Sequence, residues 1–298
     1  MANELKLGQE KAQNLLQRLP GIAHNIFYSS EFRRYLNMCI HLDYLEYYNQ
    51  LLVFRQFPNA TLVAGIRSWE AYAEGGGEVL KSSFARYGMD VLVPFRFGSS
   101  IEDSYLSFVA LKVYDITQTT ITDFKRQAPC YVPESEMHFD LLLEALNAYI
   151  SNTLNRRVVY ELPNKTGIQS AYPPGTITRY NLTVKEYLSE YQKVLWLTEA
   201  MAALYYEKVK TSSHSEAFER LYITSICYML LKRWNINHPE IYLPDKALLS
   251  CIPESQQEIF FQMLQEGYRN MEHTIHHLYQ YFRFGGLEAF DEEDMDFS

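Results

Sequence analysis

Residues 55–87 gather side chains suited to one kind of chemistry. Arg55, Arg67, Lys81 and Arg86 bring positive charge, and Trp69, Tyr72 and Tyr87 bring aromatic faces, all within one short window. Cations neutralise phosphates and flat rings stack on bases, each stacked base contributing about 1–3 kcal/mol. A plainer assignment competes: Trp69, just after an Ala-Gly turn, plugs a core, and the arginines are solvated. Gly65 suits a turn better than a ligand contact. A second group lies near the C-terminus, where His273, His276 and His277 stand at i, i+3 and i+4 beside Glu272. That spacing puts His273 on one helix face with each of the other two and permits metal ligation. A solvated or packing face under Tyr279 and Phe282 suits it better, and no metal or other cofactor is expected. The chain has no G-x-G-x-x-G, P-loop or G-x-S-x-G motif, and Ser213-His214-Ser215 has no acid partner that the sequence shows.

The elements that would position these groups follow from apolar spacing and from turn residues. Residues 9–19 read as a helix ending at Pro20-Gly21, and 30–54 as one helix from a Ser30 cap to Pro58-Asn59. A short strand over 61–64, a short helix over 68–73, and strands over 89–95 and 105–116 follow; Pro129 and Pro133 mark a linker. The second half reads as a helix over 135–151, short strands over 157–162, 168–172 and 176–180, and long helices over 183–209, 214–234 and 254–283. The class is α+β. A mixed helix and sheet N-terminal domain spans 1–127, a small sheet with long helices spans 134–285, and an acidic tail spans 286–298.

At 298 residues and 15% aromatic, the chain has ample material for buried cores and is not disordered as a whole. No apolar run reaches the ~20 residues of a membrane span, no signal peptide is visible, and a cytoplasmic location is expected. Cys39, Cys130, Cys227 and Cys251 are scattered with no C-x-x-C pair, so they read as reduced thiols. The net charge is −9, yet six carboxylates and no Lys or Arg fall in residues 286–298. The body is therefore nearly neutral, which leaves room for a local basic groove.

One ordered series of motifs is more specific. Asn59-Ala-Thr-Leu-Val-Ala-Gly-Ile-Arg-Ser-Trp-Glu70 follows a helix carrying Gln50 and Gln56. Lys81, then Leu92-Val93-Pro94, then Leu111-Lys-Val-Tyr-Asp-Ile-Thr-Gln-Thr119 come after it. Over about residues 30–120 this order resembles the N-terminal domain of ArdC-type antirestriction proteins of plasmids, conjugative elements and phages. The family's basic glycine-rich turn is reduced here to Val79 and Lys81. The resemblance implies single-stranded DNA binding, with Arg55, Arg67, Trp69, Tyr72, Lys81, Arg86 and Tyr87 as contacts.

ArdC-type proteins carry a second, zincin-like domain similar to ImmA/IrrE metallopeptidases, marked by H-E-x-x-H on a helix. The flanking layout places that motif at Thr198-Glu199-Ala200-Met201-Ala202. Thr198 and Ala202 stand where two histidines would bind zinc, and neither supplies a nitrogen ligand. The expectation is a degenerate domain with no zinc and no peptidase activity. Glu199 is then a vestigial acid or an ordinary exposed helix residue. The tail, with acids closing on Phe297, is similar to the partner-binding tips of bacterial single-stranded DNA-binding proteins, and also suits a solubilising segment. The implied role is a non-enzymatic DNA-binding accessory protein. The alternative is an acidic protein–protein interaction module, a DNA mimic or a partner hook acting on a host defence or replication enzyme.

Overall fold

The computed structural model describes residues 2–28, 30–73, 79–81, 87–97, 105–121, 138–162, 174–211, 214–236, 239–244 and 246–284. In chain order the elements begin α1 (Ala2–Tyr28), α2 (Phe32–Cys39), α3 (Tyr47–Gln56), β1 (Val63–Gly65) and α4 (Ile66–Tyr72). Strands β2 (Met89–Phe97) and β3 (Tyr105–Asp115) follow, then α5 (Phe139–Asn152), β4 (Arg157–Glu161), β5 (Gly175–Ile177) and β6 (Asn181–Lys185). The chain continues with α6 (Glu190–Val209), α7 (Glu216–Arg233), α8 (Lys246–Ser250) and α9 (Glu254–Arg283). The class is mixed helix and sheet, as composition and periodicity indicate. Two compact units result, Met1–Gln127 with Asp245–Gln265, and Ala128–Pro244 with Glu266–Ser298. No helix among the described residues is long and apolar enough to cross a membrane.

The first unit holds an antiparallel sheet of order β1-β3-β2, with Val63 opposite Asp115, Met89 opposite Val113 and Phe97 opposite Tyr105. Helix α1 lays a stripe of Leu15, Leu19, Ile22, Ala23, Ile26 and Phe27 into the core. It runs through Pro20, where the sequence predicts a stop. Buried side chains on both sides of Pro20-Gly21 outweigh the lost backbone hydrogen bond. The single helix predicted over 30–54 is instead two, broken between Cys39 and Tyr47. Leu42 in that break is fully buried, and the Gln50 side-chain amide donates to its carbonyl at 2.9 Å. A buried turn satisfied from the next helix thus displaces continuous helix.

Residues 245–265 belong to the first unit, whereas the sequence places them in the second domain. Rings explain this. Phe260 and Phe261 at the start of α9 pack against Phe27, with centroids 5.3 and 5.0 Å away, and Phe261 lies 4.8 Å from Tyr35. Close tilted and edge-on aromatic pairs hold more than their area burial alone would.

In the second unit the sheet order is β4-β6-β5, with β4 parallel and β5 antiparallel to β6. Strand β6 occupies the start of the helix predicted from 183. Helix α6 begins later because Ser189 caps it: its hydroxyl accepts from the Gln192 N–H at 3.3 Å, and the Gln192 side chain accepts from the Ser189 N–H at 3.1 Å. The strand predicted over 168–172 lies outside the described residues. Leu182 and Val184 turn one sheet face inward, where α5 and α6 pack. Helix α7 meets the later part of α9 at Gly267, where any Cβ would strike the Tyr222 hydroxyl. Arg233 and Glu272 form a buried ion pair, Nε to Oε1 at 3.2 Å, joining the same two helices.

Candidate nucleic-acid interface

The motif pieces that stand apart in sequence meet around the end of β3. Asp115 is fully buried, and its Oδ2 accepts from the N–H groups of Thr61 and Leu62 at 2.7 and 3.1 Å. Its Oδ1 accepts from the Thr117 N–H at 3.0 Å and the Thr117 hydroxyl at 2.6 Å. Gln118 closes a capping box, its Oε1 accepting from the Asp115 N–H at 2.8 Å. Its Nε2 reaches the Tyr87 carbonyl at 3.2 Å. The N-A-T and D-I-T-Q segments are therefore one hydrogen-bonded unit, in which a single carboxylate serves four donors.

Around this unit the candidate contacts take different places. Trp69 is 1% exposed and its indole N–H donates to the Tyr114 carbonyl at 3.0 Å. A ring so enclosed offers no face to a base, which corrects its assignment as a DNA contact: it is a core plug. Tyr72, with its ring centroid 6.2 Å from that of Trp69, is 58% exposed. Tyr87 is 70% exposed, and the next residue, Gly88, lies so close to Tyr114 that a Cβ there would sit 2.8 Å from its ring. Lys81 is exposed, with its ammonium donating to the Thr117 carbonyl at 2.8 Å. Tyr72, Lys81 and Tyr87 are thus tied through Trp69, Tyr114 and the 116–118 turn to one end of the sheet. Arg55 and Arg67 are exposed on α3 and α4 but are not part of this chain of contacts. Arg86 lies outside the described residues.

Two further cations belong to this neighbourhood, and residue pattern alone does not single them out. Lys112 donates to the Gly88 carbonyl at 2.6 Å and lies 3.1 Å from Asp90, which Lys11 also approaches at 2.6 Å. Two ammonium groups sharing one carboxylate leave a surplus of positive charge beside Tyr87. The available signal is the Lys112 position inside the L-K-V-Y-D motif. Lys11, far away on α1, carries no such signal.

In the second unit, Thr198 is fully buried and its hydroxyl donates to the Val194 carbonyl at 2.8 Å, while Ala202 is also fully buried. Both face the packed interior of α6 and its neighbours. Glu199 points outward, where the Tyr242 hydroxyl donates to its carboxylate at 3.1 Å. Burial, then the nearby Cys227 and Glu199, push the Tyr242 phenol up. Cys39 and Cys227 are buried free thiols, and burial raises both away from the reactive thiolate form. Cys251 is free and exposed, and Cys130 lies outside the described residues. His273 and His277 are exposed on α9. His276 between them is held down at about 4, first by burial and then by His277, Arg233 and His273.

Comparisons with protein-family models, with curated proteins and with solved structures give no match.

Proposed function

We propose that this chain binds single-stranded DNA through its first unit, as a non-enzymatic accessory protein of the ArdC-like kind. The implied role is protection of incoming DNA from restriction. The observation that carries the reading is the placement of two largely exposed tyrosines, Tyr72 and Tyr87, beside Lys81 and Lys112 at one end of the sheet. Flat rings and flexible cations at that spacing are what a base-stacked, phosphate-lined strand needs. Arg55 and Arg67 are exposed on α3 and α4. The degenerate, zincin-like reading of the second unit is supported by Thr198 and Ala202, which fill the core where zinc-binding histidines would stand.

Fluorescence anisotropy with a labelled single strand of about 30 nucleotides at low salt tests this. Micromolar binding is expected, with affinity falling steeply as salt rises, because phosphate contacts release counterions. The triple variant Arg67→Ala, Tyr72→Ala, Tyr87→Ala should bind at least tenfold more weakly, since each stacked base contributes about 1–3 kcal/mol. Absence of binding at micromolar protein discards the reading.

The second reading, a partner hook, is favoured by the six carboxylates among residues 286–298. Truncation before Gly286 separates the two. Loss of partner capture with unchanged DNA affinity favours the hook, whereas tighter DNA binding marks the tail as a competitor for the cationic surface.

A further inference from the structure

We propose that the second unit carries its own single-stranded nucleic-acid contact, at the N-terminal ends of β4 and β6. Arg157 and Arg179 stand there beside Tyr180. The Arg157 N–H donates to the Tyr180 carbonyl at 3.0 Å, and Arg157 sits opposite Asn181 in the parallel ladder. The Arg179 guanidinium lies 5.5 Å from the centroid of the Tyr180 ring. That ring is still 69% exposed, so a face remains open to a base.

The register sets the direction of this surface. Leu182 and Val184 face the core, so their neighbours Asn181, Thr183 and Lys185 face away from it, together with Arg157 and Thr176. The outward face thus carries Arg157, Lys185, Asn181 and two threonines around Val159. Glu161, the acid of this face among the described residues, stands opposite Lys185 at the other end of the ladder, about 13 Å from Arg157 at the rise of a strand.

Arg156, the preceding residue, lies on the α6 side instead. Asn155, at φ 53°, turns the chain so that the Arg156 N–H bonds the Ile150 carbonyl. The Arg156 side chain then bonds the Asn155 carbonyl through Nη1, while its buried Nε has no hydrogen-bond partner among the described residues. It lines an open cavity of about 370 Å³ with Leu154, Asn155, Leu204, Glu207 and Lys208. Glu207 is engaged by Lys210 at 2.6 Å, which removes much of its repulsion toward an anion.

A forked guanidinium fits phosphate oxygens in pairs, and two of them beside one open tyrosine suit a sugar-phosphate strand with a base laid on the ring. In a chain of net charge −9, this local excess of cations is the complement of a polyanion. The assignment is independent of the first-unit surface.

The test uses the full chain and a labelled oligothymidylate of about 30 nucleotides, long enough to leave room for both contacts. The variant Arg157→Ala, Arg179→Ala, Tyr180→Ala changes only exposed side chains, and circular dichroism checks its fold. It should bind at least fivefold more weakly, with a salt slope shallower by about one unit, since each single-strand phosphate contact contributes about 0.7. Unchanged affinity and slope overturn the proposal. Running the Arg67, Tyr72, Tyr87 variant in parallel keeps the two ideas separable. If only that variant loses affinity, the second-unit contact is overturned and the first-unit reading stands. If only the second-unit variant loses affinity, the first-unit reading falls and the second-unit contact stands. A poly-glutamate competitor that displaces the strand equally well per charge also overturns the proposal, because bases then play no part.

Discussion

Asn49 and Leu92 exchange both of their amide hydrogen bonds. The Asn49 side chain donates to the Leu92 carbonyl at 2.9 Å and accepts from the Leu92 N–H at 2.7 Å. Gln56, two turns further along α3, repeats the pattern with Asp90 at 3.0 and 2.9 Å. In the order β1-β3-β2, strand β2 is an edge. Two side-chain amides of a helix act there as a missing strand, closing an edge that would otherwise invite pairing with another chain.

Removing the buried one of these pairs should be costly. Asn49→Ala leaves a buried N–H and a buried carbonyl without partners, a loss of about 2–3 kcal/mol. Native-state hydrogen exchange should show the Leu92 amide losing protection. Gln56→Ala, on the exposed pair, should cost under about 1 kcal/mol because water replaces the bonds. Equal protection at Leu92 in Asn49→Ala and the parent chain would refute the strand-mimic account.

The Tyr222 hydroxyl makes the opposite prediction. It is buried, has no hydrogen-bond partner among the described residues, and abuts Gly267. Tyr222→Phe should leave thermal stability unchanged or raised, since removing an unpaired buried hydroxyl relieves a desolvation penalty. Gly267→Ala should destabilise by about 1–3 kcal/mol through overpacking, although alanine favours helix elsewhere. Adding Tyr222→Phe to Gly267→Ala should recover part of that loss, and thermal melts of the four proteins measure the coupling.

His276 makes stability depend on pH. In the fold it titrates near 4, below the ordinary value of 6.5, because burial and the neighbouring His277, Arg233 and His273 oppose its charge. The unfolded chain therefore takes up a proton before the folded one does. Its neutral form sustains full stability above about pH 6.5, and that contribution is lost as pH falls from about 6.5 toward 4, by up to about 2–3 kcal/mol. His276→Gln should flatten the melting temperature between pH 7 and 5, relative to the parent; an unaltered slope would show that other groups govern it.

Much of the framework is legible from pattern. The Val, Phe and Tyr runs mark β2 and β3, and the long apolar periods mark α5, α7 and α9 close to their limits. What pattern misses depends on partners remote along the chain. The break after Cys39 rests on the Gln50 amide, and the path through Pro20 rests on buried neighbours. The pairing of Phe260 with Phe27 joins residues more than two hundred positions apart. Strand β6 is different: Ser189 and Gln192 announce the true start of α6, and that local sign is there to be read. At the candidate interface, residue type offers Trp69, Tyr72 and Tyr87 alike as stacking faces, but it does not separate an open ring from a walled-in one. Trp69 has the same chemistry and the reverse exposure, and only the Tyr114 carbonyl decides it.

Helix α9 belongs to both units, its opening turns to one and the remainder to the other. The order of the units along the chain and their order in space therefore do not coincide. A gene fragment ending near the prolines at 129 and 133 would encode a first half whose Phe27 and Tyr35 rings lack their covers. A first unit expressed on its own therefore needs the segment from beyond residue 245 supplied with it.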